Sequence, residues 1–245
     1  MTDSFSPLAG AAIVFDLDGT LVDTAPDLVG ALDSLLAERG MPPAPPAEAR
    51  LMIGRGARAL LERGFAAAGS AIAPQEMGPI FERFIEIYRG RIAAISRPYP
   101  GVAAALDDLA AAGARLAVCT NKRTDLSRTL LAALGLAGRF AAVVGPDAAG
   151  AAKPDPRHLL AAIEAAGGVA ARALMLGDSR TDLDAARAAA VPVALVSFGY
   201  SDVPVQDLAP DALLHRFADL PDLARGLLGR PAAAISPSLP RPADA

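Results

Sequence analysis

A chain of 245 residues has room for one large α/β domain, or for a core with a smaller insert. Its 53% hydrophobic and 20% charged residues are those of a globular protein, and a formal net charge of −4 with 4% aromatics and no tryptophan speaks against nucleic-acid or sugar-stacking surfaces. One cysteine, Cys119, in an apolar run, excludes a disulfide framework. Residues 1–10 lack a basic leader, and no run approaches about 18 uncharged apolar residues, so a cytoplasmic chain with no membrane partner is expected.

In chain order, the first element is the apolar run 11–15, which predicts a buried strand over 12–16. Asp16 and Asp18 fall at its end, and Gly19-Thr20 turns the chain away. Side chains two apart start on one side of a strand, and two close carboxylates repel unless a cation or donors separate them. Thr24 reads as the N-cap of a helix over 24–39, with Pro26 in the first turn and Gly40 ending it. Leu28, Leu32, Leu35 and Leu36 form its apolar stripe. A proline-rich link follows, then three helical stretches over 47–53, 55–68 and 75–93 with no strand pattern. With the preceding helix, these make a small helical cap over 24–92.

From residue 98 strands and helices alternate, which implies a parallel sheet with right-handed crossovers. The predicted helices are 101–112, 124–134, 156–166 and 182–189. The predicted strands are 115–119, 141–144, 173–176 and 192–196, with an edge strand over 211–214 and a helix over 219–228. A doubly wound α/β core over 1–23 and 93–229 is therefore expected, with the cap inserted after strand one and a disordered tail over 230–245.

Three of these strands end in polar clusters: Asp16-Leu17-Asp18, Thr120-Asn121-Lys122 and Gly177-Asp178-Ser179. Ligands bind at the carboxyl ends of such strands, and topology brings the loop carrying Lys153 to the same edge. Carboxylates, a hydroxyl, an amide and an ammonium in one place suit a dianionic phosphoester. A divalent cation on oxygen ligands and Lys153 neutralise its charge, while Thr120 and Asn121 offer donors to its oxygens. Other readings of single motifs are weaker. An Asp-x-Asp-Gly calcium loop would carry glycine at its sixth position, and Gly54-Arg55-Gly56 follows no strand, as a dinucleotide loop would. His158 and His215 stand alone and read as packing or surface residues.

The stretch Asp-Leu-Asp-Gly-Thr-Leu-Val-Asp-Thr after an apolar run resembles the first motif of the haloacid dehalogenase-like phosphohydrolases, in their phosphoglycolate phosphatase branch. Matches to the other three motifs follow in order: Thr120 in Thr-Asn-Lys, Lys153-Pro154, and Gly177-Asp178-Ser179 with Asp182. The loop before Lys153 departs slightly, with Gly-Pro-Asp where relatives often have Gly-Gly-Asp. The resemblance implies a core with a helical cap and an aspartyl-phosphate mechanism. Asp16 would attack phosphorus, and Asp18 would protonate the leaving group and then activate water. Mg²⁺ would be held by Asp16, the backbone carbonyl of Asp18, and Asp178. Asp182 would orient Lys153, with Ser179 supporting it. Gly19, Asn121 and Arg55 would meet the substrate, Arg55 by pairing with a substrate carboxylate.

The expected reaction is hydrolysis of a small phosphorylated metabolite, 2-phosphoglycolate, by a monomer or homodimer. A pyrophosphatase or a sugar-phosphate phosphatase or mutase is the alternative within the superfamily, and a non-catalytic phosphoacceptor module the distant one. Phosphonate-cleaving relatives use a cap lysine, and residues 24–92 contain none.

Overall fold

The computed structural model describes residues 8–45, 53 and 56–229. Most of the helix expected over 47–53, Arg55 and the tail 230–245 lie outside them. Six parallel strands form the core sheet: β1 (Ala12–Phe15), β4 (Arg115–Cys119), β5 (Ala142–Val144), β6 (Ala173–Gly177), β7 (Val193–Val196) and β8 (Ala212–Leu214), in the order β5-β4-β1-β6-β7-β8. β1 is central, with Phe15 opposite Val118 on one side and Leu176 on the other. The chain leaves β1 towards β4 and β5, then crosses back to β6. That reversal beside β1 opens a crevice at the carboxyl ends of the strands, where doubly wound sheets bind ligands.

The strands are apolar throughout because both faces of the sheet are covered. Ile13 and Phe15 face one layer with Leu116, Val118, Leu174 and Leu176. That layer includes Leu106 and Leu109 of α4 (Val102–Ala111), Leu130 of α5 (Thr124–Ala133) and Leu227 of α9 (Leu220–Leu228). Ala12 and Val14 face the other layer, against Leu159 of α7 (Pro156–Ala165) and Leu183 of α8 (Arg180–Ala188). Cys119 is buried there, and burial raises its thiol pKa to about 12, which leaves it inert.

Between β1 and β4 lies the helical insert: α1 (Ala25–Glu38), α2 (Ala57–Ala67) and α3 (Met77–Arg89). Leu32, Leu60, Leu61, Phe65, Ile80 and Phe84 pack it together. Two short strands absent from the sequence reading form its stalk. β2 (Val22–Asp23) and β3 (Arg97–Pro98) pair antiparallel, Val22 opposite Pro98. Buried Asp27 fastens the same junction. Its Oδ2 accepts from the Ile95 and Ser96 amides at 2.9 and 2.8 Å and from the Ser96 hydroxyl at 2.7 Å. Asp27 is held below the usual carboxylate range: burial opposes its charge, but the Ser96 and Ile95 donors and Arg91 prevail.

Two local expectations are corrected. Thr24 does not cap α1, because its hydroxyl donates to Asp18 Oδ1 at 2.7 Å instead. The loop after β5 contains a short helix, α6 (Pro146–Ala149), opened by Pro146 at its first turn.

His158, on α7, is buried, and its Nε2–H donates to the Val144 carbonyl at 3.1 Å. Burial pushes its pKa down to about 4. The unfolded chain therefore takes up a proton there from about pH 6.5 downwards, where the folded chain stays neutral. Stability from this residue is fully present above that pH and falls as pH drops towards 4. In urea titrations His158→Gln should remove roughly 1–2 kcal/mol of the parent's stability loss between pH 7.5 and 5. Identical pH slopes for parent and variant would contradict this.

Candidate active site

The polar clusters that end β1, β4 and β6 meet at one edge of the sheet; those after β1 and β4 line a cavity of about 550 Å³, and the one after β6 lies behind it against Asp16. Asp16, Asp18, Thr120, Asn121, Lys122 and Lys153 line its core side. Leu28, Ile53, Leu60, Phe81, Phe84, Ile85 and Tyr88 supply the apolar side, from α1, α2, α3 and Ile53. The floor is polar and the walls are apolar, as in small-molecule sites.

Asp16 follows β1 directly and is 5% exposed. Its backbone amide donates to the Leu176 carbonyl, which continues the ladder, and the Leu17 amide donates to its Oδ1 at 2.7 Å. Lys153 Nζ lies 2.9 Å from Asp16 Oδ1 and donates to Asp182 Oδ1 at 2.6 Å. The Lys153 loop is fastened by Asn121, whose Oδ1 accepts from the Lys153 amide at 2.9 Å and whose Nδ2 donates to the Lys153 carbonyl at 3.0 Å. Asn121, expected to meet substrate, thus spends its amide on positioning Lys153.

Asp182 is a hub on the first turn of α8. Its Oδ2 accepts from the Ser179 hydroxyl at 2.7 Å and from the Ser179 and Asp178 amides at 3.1 and 3.2 Å. Ser179 and Asp182 together form a capping box, so one motif starts α8 and aims Lys153. Asp178 is fully buried; its Oδ2 accepts from the Tyr200 amide at 2.6 Å and its Oδ1 from the Thr20 hydroxyl at 3.2 Å. Gly19 leaves room for it. At φ +84° a side chain there would be strained, and its Cβ would run into Asp178 Oδ2 and the Tyr200 ring. Gly19 therefore shapes the acid cluster; it does not line the cavity.

Asp16, Asp178 and Asp182 bring carboxylate oxygens within 4.8 Å of one another, all buried. Among the described residues the ammonium paired with this trio is Lys153. Burial pushes the Asp16 pKa up to about 7 against the pull of Lys153, with Asp182 and Asp18 raising it further. Burial also raises Asp178, with Asp182 and Asp16 adding to it. Burial would lower the Lys153 pKa, but Asp16 and Asp182 outweigh it and hold the ammonium charged. Three buried carboxylates against one cation, all oxygen donors, fit a hard divalent cation.

The Asp18 carboxylate stands outside that cluster. Lys122 Nζ donates to its two oxygens at 2.6 and 2.8 Å and to Tyr88 Oη at 3.0 Å. Asp16 and Asp18 therefore each have a lysine of their own. Thr120, 1% exposed, sits between β4 and the cavity, and its Oγ1 accepts from the Lys122 amide at 3.2 Å. Lys122 was visible in the Thr-Asn-Lys triplet but carried no assignment. Tyr88 and Tyr200 had no local signal.

The family model described as haloacid dehalogenase-like hydrolase matches residues 13–196. A phosphoglycolate phosphatase of Caulobacter vibrioides is 56% identical over 221 residues, covering 90% of this chain and 93% of that one. A phosphoglycolate phosphatase of Agrobacterium fabrum is 46% identical over 230 residues, covering 94% and 97%. Among solved structures, a predicted phosphoglycolate phosphatase from Haemophilus somnus superposes with a TM-score of 0.80 at 31% identity, covering 88% of this chain and 98% of that one. CbbY from Rhodobacter sphaeroides, in complex with phosphate, does so at 0.73 and 26%, covering 86% and 96%. The match takes in Asp16, Asp178 and Asp182, and the chain belongs to the haloacid dehalogenase-like hydrolases.

Proposed function

We propose that this chain is a Mg²⁺-dependent phosphomonoesterase that hydrolyses 2-phosphoglycolate to glycolate and phosphate. The observation that carries the chemistry is the separate lysine pairing of Asp16 and Asp18 at the floor of one cavity. The substrate rests on the phosphoglycolate phosphatases at 46–56% identity.

Asp16 is the nucleophile: its carboxylate attacks phosphorus, the bond to the leaving oxygen breaks, and an aspartyl phosphate forms. Asp18 gives the leaving oxygen its proton and then takes one from the water that attacks the aspartyl phosphate, which returns Asp16 and releases phosphate. Lys153 and the Thr120 hydroxyl bind phosphoryl oxygens as negative charge shifts among them. Asp16, the Asp18 carbonyl and Asp178 would hold Mg²⁺, which supplies charge neutralisation so that one anion can approach another. Asp182 keeps Lys153 in place. The helical block over 24–92 acts as a cap on the core, closing over the cavity from the β2–β3 stalk and keeping bulk water out while the phosphoryl group passes to Asp16.

Three outcomes are expected. With Mg²⁺, phosphate release from 2-phosphoglycolate should exceed release from pyrophosphate and hexose phosphates by at least about tenfold in kcat/KM. A preference for hexose phosphates would move the chain to another branch, and no release from any phosphoester would leave a binding module. Asp16→Asn should lower kcat by about 10³-fold or more, and activity near the parent's would remove Asp16 as nucleophile. Mg²⁺ should raise the melting temperature of the parent and not of Asp178→Asn, since an ion that binds only the folded state stabilises it by mass action. Equal shifts in both proteins would place the ion elsewhere.

A further inference from the structure

Two lysines on the cavity wall are buried, and their surroundings differ. Lys153 is committed to Asp16 and Asp182. Lys122 instead bridges the core to the helical block, from Asp18 after β1 to Tyr88 on α3. Its side chain is 5% exposed, and its Nζ lies 4.7 Å from the centre of the Tyr88 ring. Burial would lower its pKa, but Asp18 and Tyr88 more than offset this, so the ammonium stays charged. The Tyr88 oxygen accepts the Lys122 proton, which leaves the phenol's own O–H to donate. Among the described residues that proton meets no acceptor, and burial keeps the phenol protonated.

The position of this pair follows from the reaction proposed above, on which this inference rests. An acid that protonates the leaving oxygen must lie within about 2.6–3.2 Å of it. In 2-phosphoglycolate the carboxylate carbon is two bonds from that oxygen, so the substrate's second anion arrives beside Asp18. Once Asp18 has given up its proton it is a carboxylate beside the substrate's own, and two carboxylates at that distance repel unless a cation stands with them. Lys122 already touches Asp18, and Tyr88 Oη, with no acceptor for its proton among the described residues, lies next to it. Of the cavity-rim arginines among the described residues, Arg58 is exposed and lies over the Phe81 ring, and Arg123 is half-buried, pairs with Asp125 and lies 3.9 Å from Glu82, whereas Lys122 is buried in the cavity wall.

We infer that Lys122 and Tyr88 form the subsite for the substrate's carboxylate, and that they select acid phosphates over neutral phosphoesters. The pair is drawn from both sides of the cavity, Lys122 from the core and Tyr88 from the cap. A carboxylate bound there bridges the two parts, so substrate choice and closure become one event.

The test compares 2-phosphoglycolate with 2-hydroxyethyl phosphate, which has a two-carbon leaving group too, with a neutral hydroxymethyl group for the carboxylate. A hydrogen bond to a charged group contributes about 1.5–3 kcal/mol, or roughly 10–100-fold. Tyr88→Phe should lower the ratio of the two kcat/KM values at least about tenfold, mostly through KM for 2-phosphoglycolate. Lys122→Met should lower it further, with part recovered in Lys122→Arg. Loss of both activities in equal proportion would overturn the assignment and leave Lys122 as a positioning residue for Asp18. Should Lys122→Met fail to fold, Tyr88→Phe decides alone: a ratio within about twofold of the parent overturns the subsite. A parent that releases phosphate from neither compound overturns the proposed function itself, which the variants cannot mimic.

Discussion

The structure depends on compensating carboxylates that the chain buries at the carboxyl end of β1. A lone buried carboxylate is expensive, and it answers by taking up a proton or finding a cation. Asp16 and Asp18 are two residues apart, yet their partners differ. Asp16 has Lys153, shared with Asp182, and joins the acid trio with Asp178. Asp18 has Lys122, Thr24 and no second acid within its own hydrogen bonds. Titratable groups set in different environments take different roles. Such a separation suits the two roles that the family resemblance implies, attack for Asp16 and proton transfer for Asp18.

The rest of the fold serves that edge. Tyr200 ties two parts of it together: its amide donates to Asp178, its hydroxyl donates to Asp23 at 2.6 Å, and that hydroxyl accepts from the Ala25 amide at 2.9 Å. One side chain thus links the acid trio to the stalk of the helical block. Asp27 holds the return chain at Ser96 against the start of α1. The insert leaves and rejoins the core through two short strands fastened at both ends.

Much of this was legible in the sequence, for reasons that mark where legibility stops. Buried parallel strands are continuous apolar runs, so β1, β4, β6 and β7 were found within a residue or so, and the acids and hydroxyls just past them marked the site. β2 and β3 escaped because two-residue strands have no period to detect, and their pairing joins residues 22–23 to 97–98. Thr24 was misread because a hydroxyl before a helix has two possible employers, and the choice of Asp18 is a tertiary fact. Asn121 looked like a substrate donor because its partner, the Lys153 backbone, is 32 residues away. Tyr88 is buried on α3 beside Phe84 and Ile85 and carries no motif of its own; only the fold places its hydroxyl on Lys122.

The central claim is that Asp16 carries the phosphoryl group while Asp18 moves protons. An aryl phosphate needs no proton on its leaving oxygen, so Asp18→Asn should still be phosphorylated by it, but should be slow to activate water for release. The most direct measurement is therefore peptide mass spectrometry of Asp18→Asn, quenched in acid during turnover of an aryl phosphate. The account predicts a phosphoryl group on Asp16, present in Asp18→Asn and lost when Asp16 is also replaced by Asn. A phosphoryl group on any other residue, or turnover with no phosphorylated Asp16 at any quench time, would contradict it.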